Sequence, residues 1–324
     1  MSFDYHLALA GLIVGFCVGL TGMGGGALMT PVLVLGFGIT PSAAVSSDIV
    51  ASAVMKPFGS AIHAWRGTVN IRLVGWLAMG SVPAAFSGVF VIRSFGDGET
   101  MQNRIKLAMG AALLVAAAAM AVKAVLDRRA QVSRRAPERV EVEVKRLRTI
   151  GIGVVGGLLV GMTSVGAGTV VIVLLMLVYP TLPMRQIVGT DLMQAIPLVA
   201  AAAVSHALFG DLQFALTTAV TVGGVVGVIL GALVSSRAPN GVIRPALAFL
   251  LLASALKLLG VTTPVVGAIL AGVALAVGAG LVRARLSRRH AAAEVAATGA
   301  SEATDEAYPV SAEAAAREAA ARPS

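Results

Sequence analysis

A glycine-rich stretch occurs twice in the chain, each time inside a long apolar run. The first copy reads GLTGMGGG at 19–26, and the second reads GMTSVGAG at 161–168. Because glycine costs a helix about 1 kcal/mol relative to alanine, each stretch predicts a helix break. Breaks at membrane depth are tolerated where protein buries them or where they line a polar cavity. Matching breaks in two halves of a chain are typical of a transporter's binding site.

The composition predicts an all-α, polytopic membrane protein. Of the 324 residues, 57% are hydrophobic and 13% are charged, against about 25% charged in a soluble domain. Apolar runs of 18 residues or more recur along the chain and indicate helices that cross a lipid bilayer. We place them at roughly 5–37, 44–65, 71–93, 103–126, 149–180, 186–209, 212–236, 243–260 and 264–283.

The net charge of +9 does not indicate a nucleic-acid partner. The basic residues lie mostly beside apolar segments, where the positive-inside rule explains them. The single cysteine, Cys17, excludes an internal disulfide. We expect a multi-pass membrane protein whose partners are the lipid bilayer and a small anionic substrate, with no cofactor. The sequence leaves the oligomeric state open.

The first and fifth segments, which carry the glycine stretches, are too long for a simple crossing. At about 1.5 Å per residue each would exceed a hydrocarbon core of about 30 Å. Each is therefore either an interrupted crossing or a re-entrant hairpin that returns to its own side. Placing the basic clusters in the cytoplasm favours hairpins. Three crossings and one hairpin per half would make the two halves inverted repeats.

Five parts of the chain follow from this pattern. We predict a first transmembrane repeat at 1–126, a basic cytoplasmic linker at 127–148, a second transmembrane repeat at 149–260, an extra transmembrane helix at 261–283, and a cytoplasmic tail at 284–324. The tail is rich in Ala and Glu and has the composition of a disordered segment.

The two halves match residue by residue. A shift of 142 places Gly19 on Gly161 and Gly24 on Gly166, and a shift of 143 then applies beyond the next loop. It aligns Ser47-Asp48 with Thr190-Asp191 and His63 with His206. The same shift aligns Gly80 with Gly223 and Gly88 with Gly231. Matched Asp and His residues inside apolar segments are the informative ones, because ionisable groups are costly at that depth.

The matched carboxylates, Asp48 and Asp191, are candidates for proton coupling. The alternative is that both act as helix N-caps, because each follows a Pro-containing loop. Lys56 lies two turns after Asp48, near the same helix face, and Val199 stands at the corresponding position of the second half. Lys56 could meet an anionic substrate or form a structural ion pair with Asp48. Gln194, one turn after Asp191, offers a neutral hydrogen-bonding group.

The matched histidines, His63 and His206, lie near the ends of their helices. Their pairing suggests gating or a proton relay, and capping is the alternative. Neither has Cys, His or carboxylate partners at metal-ligand spacing, so we expect no metal site.

The glycine breaks themselves are candidates for anion binding. Ends of interrupted helices present unpaired N–H groups and the positive end of the helix dipole, and small anions bind there. Close helix packing through small residues is the alternative. With Lys56 and Gln194, the predicted substrate-binding residues are Thr21, Gly22, Gly24, Gly25, Gly26, Thr163, Ser164, Gly166 and Gly168.

The duplicated pattern resembles the TauE/SafE (TSUP) sulfite exporter family. The likeness rests on 15–26 with Pro31, on Ala44 to Asp48 and His63, and on 156–168 with 188–191, and it covers about residues 7–260. It implies a plasma-membrane permease for small anions such as sulfite or organosulfur compounds, working as a secondary transporter without ATP. The second glycine run departs from the first in carrying Ser164 and Ala167.

The sequence therefore predicts a non-enzymatic secondary transporter for a small anion, coupled to protons through the carboxylates. An uncoupled, channel-like anion pore is the alternative. It would contain the same glycines but would show no coupling.

Overall fold

The computed structural model describes residues 4–21, 26–65, 69–130, 143–166, 168–234 and 240–276. At 21, 26, 59–65, 124–130, 184–185 and 240–244 the description covers the backbone alone. The secondary structure of these described ranges is helical, with no strand. The all-α prediction is confirmed.

Eleven helices are described. They are α1 (Tyr5–Thr21), α2 (Gly26–Pro31, continued by a π-helical turn at Val32–Gly36), α3 (Pro41–Trp65), α4 (Ile71–Arg93), α5 (Gly98–Ala130), α6 (Arg146–Thr163), α7 (Val170–Val178), α8 (Met184–Phe209), α9 (Phe214–Val234), α10 (Asn240–Leu258) and α11 (Thr263–Ala276). Among the described residues, α4, α5, α6, α8 and α9 contain stretches long and apolar enough to cross a membrane. Their lengths and composition make this a multi-pass membrane protein.

The helices up to Val266 form one compact unit, and a second unit begins at Gly267 within α11. Helices extend into both ends of the predicted linker, since α5 ends at Ala130 and α6 begins at Arg146. The centre of that linker, 131–142, and the tail at 284–324 lie outside the described residues.

Helix contacts follow the internal repeat. Helices α1–α5 correspond in order to α6–α10, and each half has a short second helix. The strongest contacts pair α1 with α9, α4 with α6, α4 with α8, α3 with α8, α5 with α10, and α3 with α9. Exchanging every helix for its counterpart leaves this set of pairs unchanged. The two repeats therefore interlock with two-fold pseudo-symmetry, and their inverted orientation in the membrane stays a prediction.

Glycines at four-residue spacing bring the backbones of the interlocked helices into contact. A Cβ added at Gly11 of α1 would lie 2.6 Å from the carbonyl oxygen of Val220 on α9. Across the other pair, a Cβ at Gly153 or Gly157 of α6 would collide with the carbonyl oxygens of Leu77 or Ser81 on α4. Close van der Waals packing of this kind drives helix association in lipid.

Two glycines of the duplicated stretch serve this packing. A Cβ at Gly19 would meet the Val228 carbonyl, and one at Gly161 would meet the Ala85 carbonyl. The packing alternative thus holds for the first residue of each stretch. In the second repeat, the break begins at Ser164, after the close approach at Gly161.

Two glycines of α4 provide a matched test. A Cβ at Gly80 would collide with the Ile150 carbonyl of α6, whereas nothing lies within 4 Å of a Cβ at exposed Gly75. We expect Gly80→Ala to lower the thermal midpoint of the detergent-solubilised protein. We expect Gly75→Ala to leave it unchanged or to raise it slightly, since alanine favours a helix by about 0.5–1 kcal/mol over glycine. Equal midpoints for the two variants would contradict the packing account.

Candidate functional site

The second glycine stretch forms a true helix break between α6 and α7. Ser164 caps α6 in a left-handed conformation with φ 59°, and Gly166 and Gly168 have φ of 116° and 99°. Residues with side chains seldom adopt such angles, which explains the two glycines. Thr163 stabilises the turn, because its Oγ1 accepts from the Val165 N–H at 3.2 Å and donates to the Leu159 carbonyl at 2.6 Å. The predicted substrate ligand Thr163 therefore uses its hydroxyl proton within the turn.

The chain then returns to the start of α6. Tyr179, directly after α7, accepts a hydrogen bond from the Lys145 N–H at 2.8 Å. Its hydroxyl also bonds that of Thr149 at 2.6 Å. Since Lys145 and Thr149 mark the beginning of α6, the end of α7 lies beside it. Helices α6 and α7 therefore form a hairpin, and its re-entry from one side of the membrane stays a prediction.

The first glycine stretch is only partly described. Gly22, Gly24 and Gly25 lie outside the described residues, and Thr21 and Gly26 are described by backbone alone, as the last residue of α1 and the first of α2. The side chain of His63 on α3 likewise lies outside the description. Their predicted roles stay predictions.

Asp48 of α3 is completely buried and hydrogen-bonded from two elements. Thr30 of α2 donates to its Oδ2 at 2.5 Å, and Ser52 donates to its Oδ1 at 3.4 Å from one turn along α3. Ser164, at the second break, also lies close enough to interact with this carboxylate. Asp48 therefore connects a helix of the first repeat with the break of the second.

Asp191 of α8 is 1% exposed, and within the described parts of the chain neither of its carboxylate oxygens has a hydrogen-bond partner. Gln194, one turn further, accepts from the Ser81 hydroxyl of α4 at 2.9 Å through its Oε1. The Gln194 side chain lies near Asp191 and interacts with it, yet its Nε2 makes no geometrically acceptable hydrogen bond to a described residue.

A lysine of α3, Lys56, acts on both carboxylates. It is half-buried on α3 and interacts electrostatically with both Asp48 and Asp191. Lys123 of α5, which sequence reasoning overlooked, interacts with Asp191 as well. Its position inside the predicted apolar segment 103–126 could have identified it, because a lysine at membrane depth is a functional candidate. The structure thus gathers Asp48, Asp191, Lys56, Gln194 and Ser164, which we call the charged cluster.

His206 of α8 caps the second break. Its Nε2 lies 2.7 Å from the Gly161 carbonyl oxygen, and its Nδ1 lies 2.9 Å from the Ser46 hydroxyl of α3. Gly161 belongs to the last turn of α6, whose carbonyls have no intrahelical partner. The predicted histidine therefore contacts the glycine stretch itself, and its geometry is that of a capping residue.

Polar residues beyond His206 continue this network to the protein surface. The Asp211 N–H donates to Ser46 Oγ at 3.3 Å, and Ser42 donates to Asp211 Oδ2 at 2.8 Å. Asp211 is exposed between α8 and α9. Sequence reasoning overlooked Ser46 and Asp211, since a serine inside an apolar helix gives little signal by itself.

Comparison with known proteins decides the family. The family model described as sulfite exporter TauE/SafE matches residues 7–258. The chain belongs to this family. The match ends with the last residue of α10, so α11 and the tail lie beyond it. No solved structure matches the chain significantly.

Curated relatives of this TauE/SafE member carry transporter names. The probable membrane transporter protein YjnA of Bacillus subtilis is 38% identical over 254 residues, covering 78% of this chain and 98% of YjnA. A probable membrane transporter protein of Xylella fastidiosa is 26% identical over 231 residues, covering 70% and 83% of the two chains. Together with the apolar helices, the family identifies a multi-pass membrane transporter.

Removing the His206 cap should destabilise the protein. His206→Ala leaves the Gly161 carbonyl without its imidazole donor and removes one of the two partners of the Ser46 hydroxyl. A buried unsatisfied polar group costs about 1–3 kcal/mol. We expect a lower thermal midpoint than for wild type. His6→Ala, at an exposed position of α1, is the control and should leave the midpoint unchanged. An unaltered midpoint for His206→Ala would show that the cap does not hold the break.

Proposed function

We propose that this protein is a secondary transporter that moves a small anion, sulfite or an organosulfur anion, across the plasma membrane in company with protons. The observation that carries the proposal is the charged cluster between α3 and α8. These helices are counterparts in the two repeats, and they pack directly on each other. In secondary transporters built from repeats, substrates bind at the interface between the repeats.

The residues of the cluster suit an anion that moves with a proton. Ionisable groups inside a membrane protein are costly and mark substrate or ion pathways. Lys56 supplies a positive charge for the anion, while Asp48 and Asp191 supply carboxylates that can carry a proton. The break between α6 and α7 reaches Asp48 through Ser164, so rearranging the hairpin would alter the surroundings of Asp48.

Sulfite is proposed as the substrate because the matching family model is described as a sulfite exporter. The relatives' printed names give no substrate, and they describe transporters rather than enzymes. We accordingly propose no catalytic reaction.

Radiolabelled sulfite efflux from proteoliposomes tests the proposal. We expect saturable efflux that responds to an imposed pH gradient and is reduced by a competing organosulfur anion such as sulfoacetate. Saturable efflux that ignores the gradient would favour the uncoupled anion pore. Absence of sulfite efflux from a folded preparation would contradict sulfite as the substrate.

Two lysine variants test whether sulfite efflux depends on the charged cluster. We expect Lys56→Gln to reduce sulfite efflux at least tenfold, because the anion loses the cation that interacts with both carboxylates. Lys145→Gln removes an equal charge from an exposed position before α6 and should retain wild-type efflux. Equal efflux from both variants would remove Lys56 from the site.

A further inference from the structure

The two repeat-matched carboxylates have different surroundings. Asp48 accepts hydrogen bonds from Thr30 and Ser52. Asp191 is as deeply buried, but neither of its oxygens accepts a hydrogen bond from a residue that the structure describes. Burying a polar group without a hydrogen bond is costly. A buried carboxylate that accepts no hydrogen bond from the described residues, although Lys56 and Lys123 act on it electrostatically, therefore indicates a group that binds something.

The sequence explains this difference. The repeat shift of 143 places Ala195 at the position that corresponds to Ser52. A shift of 142 or 143 places Ile172 or Val173 at the position that corresponds to Thr30. Both hydroxyl donors of the first repeat are therefore replaced by apolar side chains in the second. The second repeat has kept the carboxylate but not the hydroxyl groups that would donate hydrogen bonds to it.

A hydrogen-bond donor, the Gln194 side-chain amide, also lies beside Asp191. The Gln194 carbonyl oxygen is held by Ser81, which orients the amide nitrogen, and that nitrogen has no hydrogen-bond partner within the described ranges. The charged groups that act on Asp191 are Lys56 from α3 and Lys123 from α5. From α4 the nearby polar group is Ser81, and His206 on α8 is engaged with Gly161 and Ser46. Asp191 and Gln194 thus offer acceptors and a donor next to a cation.

This combination discriminates between anions by their protons. A fully deprotonated dianion such as sulfate would turn its negative oxygens towards the Asp191 carboxylate and be repelled. A singly charged oxyanion that carries an O–H, such as hydrogensulfite, can donate that hydrogen to Asp191. Its remaining oxygens can accept from Gln194 and face Lys56. The proton belongs to the anion, because sulfite is a much stronger base than sulfate and retains a proton near neutral pH.

We propose that Asp191 is the specificity-determining carboxylate of the transporter, admitting singly charged, proton-bearing oxyanions and excluding dianions. One proton lies between Asp191 and the anion and moves with it, and no other bond forms or breaks. Asp48, whose oxygens accept from Thr30 and Ser52, connects α2 with Ser164 at the second break. The inference rests on the proposed function and assigns the selectivity of its site to one residue.

Counterflow in proteoliposomes with labelled sulfite and labelled sulfate tests the assignment. We expect wild type to prefer sulfite, and Asp191→Asn to lower the ratio of sulfite to sulfate uptake at least tenfold, because the amide can donate to a dianion. Asp48→Asn is the matched variant. It should change stability and total flux but leave the ratio within about twofold of wild type.

A second variant tests the same point without removing the carboxylate. Ala195→Ser gives Asp191 the donor that Ser52 gives Asp48, so we expect weaker sulfite uptake in a protein of unchanged thermal stability. This variant carries the test if Asp191→Asn does not fold.

The possible results distinguish a failure of this inference from a failure of the proposed function. Unchanged ratios in Asp191→Asn, or unchanged sulfite uptake in Ala195→Ser, with active wild type, would overturn the inference and leave the proposed function standing. A wild-type protein that moves neither anion would overturn both sulfite as the substrate and the inference.

Discussion

Direct contact between helix backbones is the constraint on which this structure depends. Lipid tails are as apolar as leucine side chains, so hydrophobicity alone does not hold membrane helices together. Glycines along α1, α9, α4 and α6 allow contacts that a single Cβ would prevent. Because α1 packs on α9 and α6 on α4, each repeat is held by the other rather than by itself. A change that separates one of these pairs should therefore loosen both halves.

The interlocked pairs leave α3 and α8 packed against each other, and these helices carry the matched carboxylates. The hairpin of the second repeat reaches the same region through Ser164 and through the carbonyl that His206 caps. Duplication has thus produced two similar backbones whose side chains have diverged. Asp48 is held by donors of its own repeat, whereas the Asp191 oxygens, beside Lys56 and Gln194, accept no hydrogen bond from any residue in the described ranges. A symmetric scaffold with an asymmetric site suits a protein that binds one substrate between two repeats.

Much of this architecture is predictable from the sequence. The length of the apolar runs gives the helical class, and the glycines at 166 and 168 give the position of the second break. Other features need three dimensions. The role of Gly19 and Gly161 depends on which helix lies opposite them, and the return of α7 depends on Tyr179 reaching Lys145 across 34 residues of chain.

The different surroundings of Asp48 and Asp191 are only partly predictable from the sequence. The replacement of Ser52 by Ala195 is visible once the repeat is aligned, but its meaning depends on knowing that Ser52 contacts Asp48. The contribution of Lys123 likewise becomes evident only when α5 is seen to bring it towards Asp191. Side chains that act across helices leave little trace in a single apolar segment.

The central claim is that an anion binds at the charged cluster, and the position of a bound anion tests it most directly. We would determine the structure with selenite, a heavier analogue of sulfite whose selenium is readily located. The account predicts selenium density between α3 and α8, with oxygens within hydrogen-bonding distance of Gln194 and Asp191. Selenite bound elsewhere, with the cluster unchanged, would contradict it.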